Sequence, residues 1–345
     1  MTIQVGIIGY GLSGSIFHAP IISRVKELQL RGVVSSNPSK VHQDYPEALV
    51  YADVDSLLQD KEINLVIVTS PNTTHFEYAK QAILAKKHVV VEKPFTITSQ
   101  EADDLISLAQ EHQVLLTVYQ NRRWDHDFLT VRKLLDTGVL GNLSVFESHF
   151  DRFRPVVQNR WREQDLPGSG LLYDLGSHLI DQALLLFGMP QTIWADLRSE
   201  RQGSPTTDYF HLVLGYENMR VILHSGSLVR EKGPRFAIHG DQGSFIKYGL
   251  DTQEEQLRQG KKPGDPGWGV DREENYGQLT AEIGGLVMKS TVETITGCYE
   301  AFYEDVAKAI QSGESASVKP EEARNTIRLI EYAILSHKEQ RTIHI

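Results

Sequence analysis

The chain has 345 residues, 40% of them hydrophobic and 23% charged, which is the composition of a globular protein with about two domains. Its formal net charge is −10 and no segment is rich in Lys and Arg, so a nucleic-acid partner is not expected. The single cysteine, Cys298, excludes an intramolecular disulfide and fits a reducing compartment. No basic residue precedes the first apolar run, and no run reaches the roughly 18 residues of a membrane span. We therefore expect a cytoplasmic protein without a signal peptide or a membrane segment.

Short apolar runs alternate with amphipathic stretches over the first 120 residues. The runs are typical of strands buried on both faces of a parallel sheet, and they occupy residues 5–8, 30–34, 65–69, 89–91 and 115–118. Helical spacing marks residues 76–85 and 99–111, and Thr98 with Glu101 forms a capping-box pattern before the second helix. This order predicts an N-terminal Rossmann domain, residues 1–120, built on a doubly wound parallel sheet.

The pattern changes after Tyr119, where strand-like runs follow one another with mostly short connections. They occupy residues 143–150, 193–197, 209–215, 221–225 and 235–239, and helices are predicted at 171–187, 299–311 and 321–338. The predicted fold class is therefore α/β, with a C-terminal α+β domain at residues 121–345 that carries a large, mostly antiparallel open-faced sheet. Residues 249–277 are polar and aperiodic, which predicts a solvated surface loop or a lid.

The segment Gly9-Tyr10-Gly11-Leu12-Ser13-Gly14 follows the first strand and opens a helix. In a dinucleotide-binding turn, Gly9 would permit the tight turn, Gly11 the approach of a pyrophosphate, and Gly14 close packing of helix and strand. A plain strand-to-helix turn remains an alternative.

The end of the second predicted strand bears on the choice of nucleotide. NAD-binding turns carry an acid there that holds the ribose 2′-hydroxyl, but this chain has Ser35 and Ser36 at that place and Lys40 shortly after. Two hydroxyls and an ammonium suit a 2′-phosphate, which a carboxylate would repel. The sequence therefore predicts NADP in preference to NAD.

Two further motifs carry candidate catalytic groups. Glu92-Lys93-Pro94 follows the predicted strand at residues 89–91, at the sheet edge where doubly wound folds bind ligands, although an exposed turn lysine is the alternative. Asp174 and His178 are four residues apart on a predicted helix, which suits a carboxylate that orients a basic imidazole. A partial metal site and a simple surface pair are the alternatives, and without a third clustered ligand no metal is expected. Of the other histidines, only His18 lies near the glycine turn.

These motifs, in this order, resemble the Gfo/Idh/MocA oxidoreductases, a family named after glucose-fructose oxidoreductase and inositol dehydrogenase. The resemblance covers the whole chain and extends to residues 70–75, 121–125, 160–163 and 174–181. Together with residues 253–257 and 262–265, these stretches are most similar to the NADP-dependent scyllo-inositol dehydrogenase branch.

The resemblance implies hydride transfer between a nicotinamide and a secondary hydroxyl of a polyol or sugar. His178 would be the base that takes the hydroxyl proton, Lys93 would donate to the same oxygen, and Asp174 would hold the imidazole. The expected cofactor-binding residues are Gly9, Gly11, Leu12, Gly14, Ser35, Ser36, Lys40, Ser70, Asn72, His75, Glu92, Lys93, Trp161 and Arg162.

The sheet of the second domain has more apolar strand faces than its few helices can cover, so we expect a homodimer or homotetramer through it. Two other functions remain open: a non-catalytic, nucleotide-sensing regulatory protein of the same fold, and glycosidase chemistry with a tightly bound NAD.

Overall fold

The computed structural model describes residues 2–345 and divides into two compact units. The first unit holds the chain up to Trp124 with residues 253–268 and 298–324, and the second holds residues 125–252, 269–297 and 325–345. The units are thus not contiguous in sequence, and the first break between them comes after Trp124. The reason is that later segments return apolar side chains to the core of the first unit, where Leu257, Trp268 and Phe302 are buried.

Ten α-helices are present in the described residues 2–345, and several of the short ones were not predicted. Their bounds are α1 Ala19–Ile22, α2 Pro38–Asp44, α3 Val54–Gln59, α4 His75–Leu84, α5 Ser99–His112, α6 His126–Asp136, α7 Ser177–Phe187, α8 Gln253–Arg258, α9 Glu300–Ser312 and α10 Pro320–Glu339. The predicted capping box of α5 is confirmed: Glu101 N donates to Thr98 Oγ1 at 3.2 Å, and Thr98 N donates to the Glu101 carboxylate at 3.1 Å. The expectation of a solvated loop at residues 249–277 is wrong over α8, because Leu257 packs in the core.

The sheet of the first unit has six parallel strands. They are β1 Ile3–Ile8, β2 Leu28–Val34, β3 Leu49–Tyr51, β4 Leu65–Val68, β5 His88–Val91 and β6 Leu116–Val118. Their order, β3-β2-β1-β4-β5-β6, is that of a Rossmann fold and confirms the predicted doubly wound sheet. All four residues of β4 are buried, as expected for a strand covered on both faces. The prediction missed β3, a three-residue edge strand that is partly exposed.

The sheet of the second unit has nine strands. They are β7 Leu143–His149, β8 Thr192–Arg198, β9 Tyr209–Gly215, β10 Arg220–Gly226, β11 Phe236–Gly240, β12 Gly243–Lys247, β13 Gly277–Ile283, β14 Leu286–Val292 and β15 Ile343–His344. The order is β14-β13-β12-β11-β7-β10-β9-β8-β15, and every pair except β7 with β10 is antiparallel, which confirms the mostly antiparallel sheet. The strands from β12 onward were not predicted.

One face of this sheet is buried and the other is more exposed. Along β9, Phe210, Leu212 and Leu214 are fully buried, while the residues between them are half-buried. On the neighbouring strand β8, Ala195 N donates to Ser336 Oγ of α10 at 3.1 Å. Within residues 2–345, no helix combines the length and the apolar character that a membrane crossing requires.

Candidate active site

The glycine turn after β1 has the backbone that a nucleotide-binding turn needs. Gly9 has a φ of 101°, which favours glycine, and its carbonyl oxygen accepts a hydrogen bond from Thr69 Oγ1 at 2.7 Å. A Cβ on Gly14 would lie 2.2 Å from that same oxygen, so only glycine lets the helical segment begin this close. A Cβ on Gly11 would meet no atom of residues 2–345 within 4 Å, and Leu12 is 45% exposed. The turn therefore leaves open space over the amide groups around Gly11, which fits the approach of a pyrophosphate.

Lys40, in the segment after β2, places its ammonium group beside this turn. Lys40 Nζ donates to the carbonyl oxygen of Tyr10 at 3.3 Å and to Ser15 Oγ at 3.1 Å. Its position is set by α2, since the Asn37 side chain caps that helix and accepts a hydrogen bond from Lys40 N. The chain thus brings Lys40 back over the glycine turn, with Ser35 and Ser36 at the end of β2 and no carboxylate at either position.

Glu92, at the end of β5, is a buried carboxylate held by three donors. It accepts hydrogen bonds from the Ser13 hydroxyl, from His18 Nε2 at 2.9 Å and from Lys93 N at 2.8 Å. Burial by itself raises the pKa of Glu92, but the His18 hydrogen bond and the charges of His18 and Lys93 lower it to about 2. The carboxylate is therefore ionised and saturated by protein groups, so its role is to fix the turn and the start of the Lys93 loop.

His18 is the histidine near the glycine turn. It is fully buried, its Nδ1 faces the hydroxyl of Tyr303, and its ring lies 4.2 Å from the ring of Tyr119, centroid to centroid. Its Nε2 contacts Glu92, so His18 links α9 to the glycine turn within the first unit. No sequence pattern indicated this partnership, because Tyr303 is remote in the chain.

The loops after β4 and β5 are joined by His75. Its Nδ1 lies 2.8 Å from the carbonyl oxygen of Pro94, and its Nε2 lies 3.0 Å from that of Ser70. The ring is 1% exposed, and burial lowers its pKa. Ser70, the buried Asn72 and the half-buried Lys93 thus lie on two loops held together at the carboxyl edge of the sheet. His75 itself is occupied by backbone oxygens, so it acts on these loops as a brace.

Asp174 and His178 lie on either side of the start of α7, in the second unit. The segment was expected to be a regular helix, but Leu172–Gly176 is a π-helical turn and α7 begins only at Ser177. Such turns inside helices are frequent at functional sites. His178 is 3% exposed, and Asp174 is partly exposed.

Two arginines lie close to the Asp174 carboxylate. Arg152 Nη2 lies 3.4 Å from Asp174 Oδ2, and Arg162 Nη1 lies 3.9 Å from Asp174 Oδ1. The Arg162 guanidinium also stacks on the Trp161 ring, 5.1 Å from its centroid, so three of the predicted site residues lie together. Burial lowers the pKa of Arg152, Asp174 raises it, and the charges of Arg154 and Arg160 lower it further.

The same arginines line a cavity of about 30 Å³, with room for roughly two water molecules. Its charged lining consists of Arg152, Arg154, Arg160, Arg162, Arg201, Glu163, Asp174 and Asp208. Glu163 accepts from Arg160 Nε at 2.8 Å and from Arg201 Nη1 at 3.0 Å. Five cations face three carboxylates, so the cavity carries an excess of positive charge. Of these arginines, only Arg162 was expected as a site residue. Arg152 and Arg201 were not, because Arg152 contacts Asp174 and Arg201 contacts Glu163, which are 22 and 38 residues away in the chain.

A Rossmann sheet with a glycine turn of this geometry defines a dinucleotide-binding protein. The sequence matches two family profiles: "Oxidoreductase family, NAD-binding Rossmann fold" over residues 3–120 and "Oxidoreductase family, C-terminal alpha/beta domain" over residues 132–345. The chain belongs to the Gfo/Idh/MocA oxidoreductase family, which confirms the resemblance stated above.

Two curated relatives match nearly the whole chain. The chain is 46% identical over 342 residues to the scyllo-inositol 2-dehydrogenase (NADP(+)) of Bacillus subtilis (strain 168), covering 99% of this chain and 96% of the relative. It is 44% identical over 341 residues to an uncharacterized oxidoreductase of Escherichia coli (strain K12), covering 99% and 98%.

Two solved structures of oxidoreductases are also similar to the whole of this chain. An oxidoreductase from Bacillus subtilis superposes with a TM-score of 0.97 at 46% identity, covering 100% of this chain and 98% of that chain. One from Yersinia pestis gives a TM-score of 0.95 at 44% identity, covering 100% and 97%. The protein is therefore an oxidoreductase with an NAD(P)-binding Rossmann domain.

Proposed function

We propose that this oxidoreductase transfers hydride between NADP(H) and a secondary hydroxyl or ketone of a polyol or sugar, with an inositol as the first candidate. One observation carries the proposal: the sequence contains Lys93, Asp174 and His178, which can supply an ammonium donor, an acid and a base, respectively. The relative named as a scyllo-inositol dehydrogenase, 46% identical along nearly the whole chain, supports the choice of inositol. A cytoplasmic location belongs to the same proposal and is supported by the single cysteine.

The preference for NADP is supported by the groups around the glycine turn. Ser35, Ser36 and Lys40 would hold the 2′-phosphate, and Lys40 already lies within hydrogen-bond distance of two groups of that turn. An acid at position 35 or 36 would instead repel the phosphate, and the chain has none there. The turn itself, with Gly9, Gly11 and Gly14, would hold the pyrophosphate at its amide groups.

When the cofactor is bound, its nicotinamide ring would accept the hydride. His178 takes the proton of the substrate hydroxyl, because oxidation at the carbinol carbon requires that proton to leave. Lys93 donates a hydrogen bond to the same oxygen and stabilises its developing negative charge. Asp174, beside Arg152 and Arg162, holds the imidazole of His178 and a neighbouring substrate hydroxyl.

The test is a screen of inositols, aldoses and ketoses with NADP and with NAD, followed through the absorbance of the reduced nicotinamide. We expect turnover of an inositol or a similar polyol with NADP. The purified protein would not carry a tightly held nicotinamide, which distinguishes the proposal from glycosidase chemistry with bound NAD. Cofactor binding without turnover of any polyol would instead favour a nucleotide-sensing regulator.

We also propose that two or four copies associate through the sheet of the second unit. Strand β14 lies at one edge of this sheet, and its Leu286, Val287 and Met288 are 64%, 72% and 44% exposed. An exposed apolar edge strand of this kind is a site of self-association in soluble proteins. The substitution Leu286→Lys should lower the mass seen by light scattering, and Leu84→Lys on α4, at a leucine that is 49% exposed, should not. A monomeric wild-type protein at micromolar concentration would refute the association.

A further inference from the structure

Two histidines and an aspartate from neighbouring strands of the second unit converge on the more exposed face of its sheet. His149 ends β7, and His224 lies beside it on β10, because these two strands pair in parallel with His224 opposite His149. Asp151 follows β7 by two residues. One potential ligand atom from each of the three side chains lies within 4.8 Å of the others. None of the three residues belongs to the proposed catalytic set.

The distances between these groups suit coordination better than hydrogen bonding. Asp151 Oδ2 lies 3.5 Å from His149 Nδ1, and Asp151 Oδ1 lies 3.5 Å from His224 Nε2. Hydrogen bonds between nitrogen and oxygen are shorter, about 2.7–3.2 Å. Ligand atoms about 2.0–2.2 Å from a tetrahedral zinc ion are separated by about 3.3–3.6 Å along the edges of the tetrahedron. The two distances run to different oxygens of Asp151, and the three ligand atoms lie within 4.8 Å of one another, so small side-chain rotations would bring them onto a single ion.

The imidazole of His224 has an unused lone pair. Its side chain is 15% exposed, its Nδ1 is buried, and neither ring nitrogen accepts a hydrogen bond from any residue in the described range 2–345. Its nearest polar neighbour, Asp151, is a carboxylate and offers no proton. The nitrogen that faces Asp151 is Nε2, so Nε2 is the atom whose lone pair would be offered to a cation.

A second layer of contacts orients the other two ligands. His149 Nε2 lies 3.2 Å from Glu147 Oε2, the arrangement in which a carboxylate holds a metal-binding histidine by its far nitrogen. Gly226 N donates to Asp151 Oδ1 at 2.9 Å and fixes the aspartate. Asp151 and Glu147 supply two carboxylates, which match the two positive charges of a divalent cation.

We propose that His149, Asp151 and His224 form a binding site for a divalent transition metal ion, zinc first, which clamps the ends of β7 and β10 together. Two imidazoles and one carboxylate are ligands that zinc accepts and that calcium and magnesium do not prefer. Water, or a group from a second copy of the chain, would be the fourth ligand of the ion. The ion has no part in hydride transfer, so the proposal stands apart from the function proposed above.

The test is zinc binding by the full-length protein after treatment with a chelator. Isothermal titration with zinc chloride should give one ion per chain, and thermal unfolding should shift upward when zinc is added. Cobalt(II) should give visible absorption bands of a four-coordinate nitrogen and oxygen site. Asp151→Asn and His224→Asn should each abolish the stoichiometric binding and the thermal shift.

The matched control is His211→Asn. His211 lies on β9, paired opposite His224, with its ring 5.7 Å from that of His224, but it does not belong to the three-ligand cluster. This variant should bind zinc as the wild type does. Circular dichroism of each variant checks that it is folded. The cobalt spectrum of the wild type tests the site without any substitution. The proposal is overturned if the chelated wild type binds no zinc at micromolar concentration, or if His224→Asn binds it as well as His211→Asn does.

Discussion

Two charged clusters, one in each unit, are arranged in opposite ways. In the first unit, the single carboxylate of Glu92 is surrounded by donors from Ser13, His18 and the Lys93 amide, so both of its oxygens have a partner. In the second unit, five arginines share three carboxylates around one cavity, and the charge of Arg152 is disfavoured by its burial and by its neighbours. A saturated carboxylate fixes a loop in one geometry, whereas a surplus of cations attracts further negative charge. The first arrangement fixes the glycine turn against the start of the Lys93 loop, and the second favours a group with negative charge or hydrogen-bond acceptors.

The largest effect is expected at His178. If the second unit supplies the base, His178→Ala should lower kcat by about 10²–10⁴ and leave NADP affinity unchanged. The loss should be partly relieved at high pH, because hydroxide then takes the proton. Steady-state kinetics across pH would measure this, with the exposed His344→Ala as the control. Near wild-type turnover would remove His178 from the mechanism.

Lys93 tests whether the first unit does more than bind the cofactor. Lys93→Ala should lower kcat by about 10²–10³, because one donor to a developing oxyanion is lost. Fluorescence titration with NADPH should show unchanged binding, since the phosphate contacts are elsewhere, and the exposed Lys80→Ala should behave as wild type. If Lys93→Ala were inactive because it no longer bound cofactor, the separation of roles would be wrong.

The nucleotide preference should respond to one charge at the end of β2. Ser35→Asp should reduce kcat/KM for NADP relative to NAD by about 10-fold to 100-fold, since each charge-assisted phosphate contact contributes about 1.5–3 kcal/mol. Lys40→Ala should shift the ratio in the same direction. The ratio of kcat/KM for the two cofactors is the measurement. A wild type that prefers NAD, or a Ser35→Asp variant with an unchanged ratio, contradicts the assignment of these residues.

The hydrogen bonds that the Glu92 carboxylate accepts predict a specific dependence of the free energy of unfolding on pH. Because its pKa is lowered from 4.5 to about 2 in the folded protein, its ionised form stabilises the fold above pH 4.5. That contribution should be lost as the pH falls from 4.5 towards 2. Glu92→Gln should lower the free energy of unfolding by about 1.5–3 kcal/mol at pH 7 and flatten this part of the profile.

Urea unfolding at several pH values measures this effect. The exposed Glu111→Gln is the control and should leave the profile unchanged. If Glu92→Gln retained the wild-type loss of stability between pH 4.5 and 2, Glu92 would not be the group responsible for it.

The smallest effect is expected at the cap of α5, which contains no part of the site. Thr98→Ala removes the side-chain acceptor of Glu101 N and should destabilise the protein by about 1 kcal/mol. A thermal denaturation scan should show a lower Tm with unchanged kcat. A change in turnover would mean that α5 communicates with the site in a way that the cap alone does not explain.

The sequence by itself determined the features that depend on neighbouring residues. The positive φ of Gly9, the close approach at Gly14 and the capping box at Thr98 are set by local sterics and local hydrogen bonds, so a short pattern reveals them. The parallel sheet of the first unit follows from short apolar runs with helical stretches between them. The same reasoning missed β3 and β14, because these edge strands are exposed or half-buried and their short apolar runs lack the alternation of a half-buried strand.

Only the tertiary structure decided which charges meet. The partners of Glu92 come from the glycine turn and its helix, those of Asp174 from the loop after β7, and the ligand set of His149 and Asp151 is completed by His224 of β10. Strand order and register bring these residues together, and both depend on contacts between residues far apart in the chain. The return of Leu257 and Trp268 to the first core is of the same kind. Burial of apolar surface drives that packing, and it responds to where a side chain lies in space, whatever its distance along the sequence.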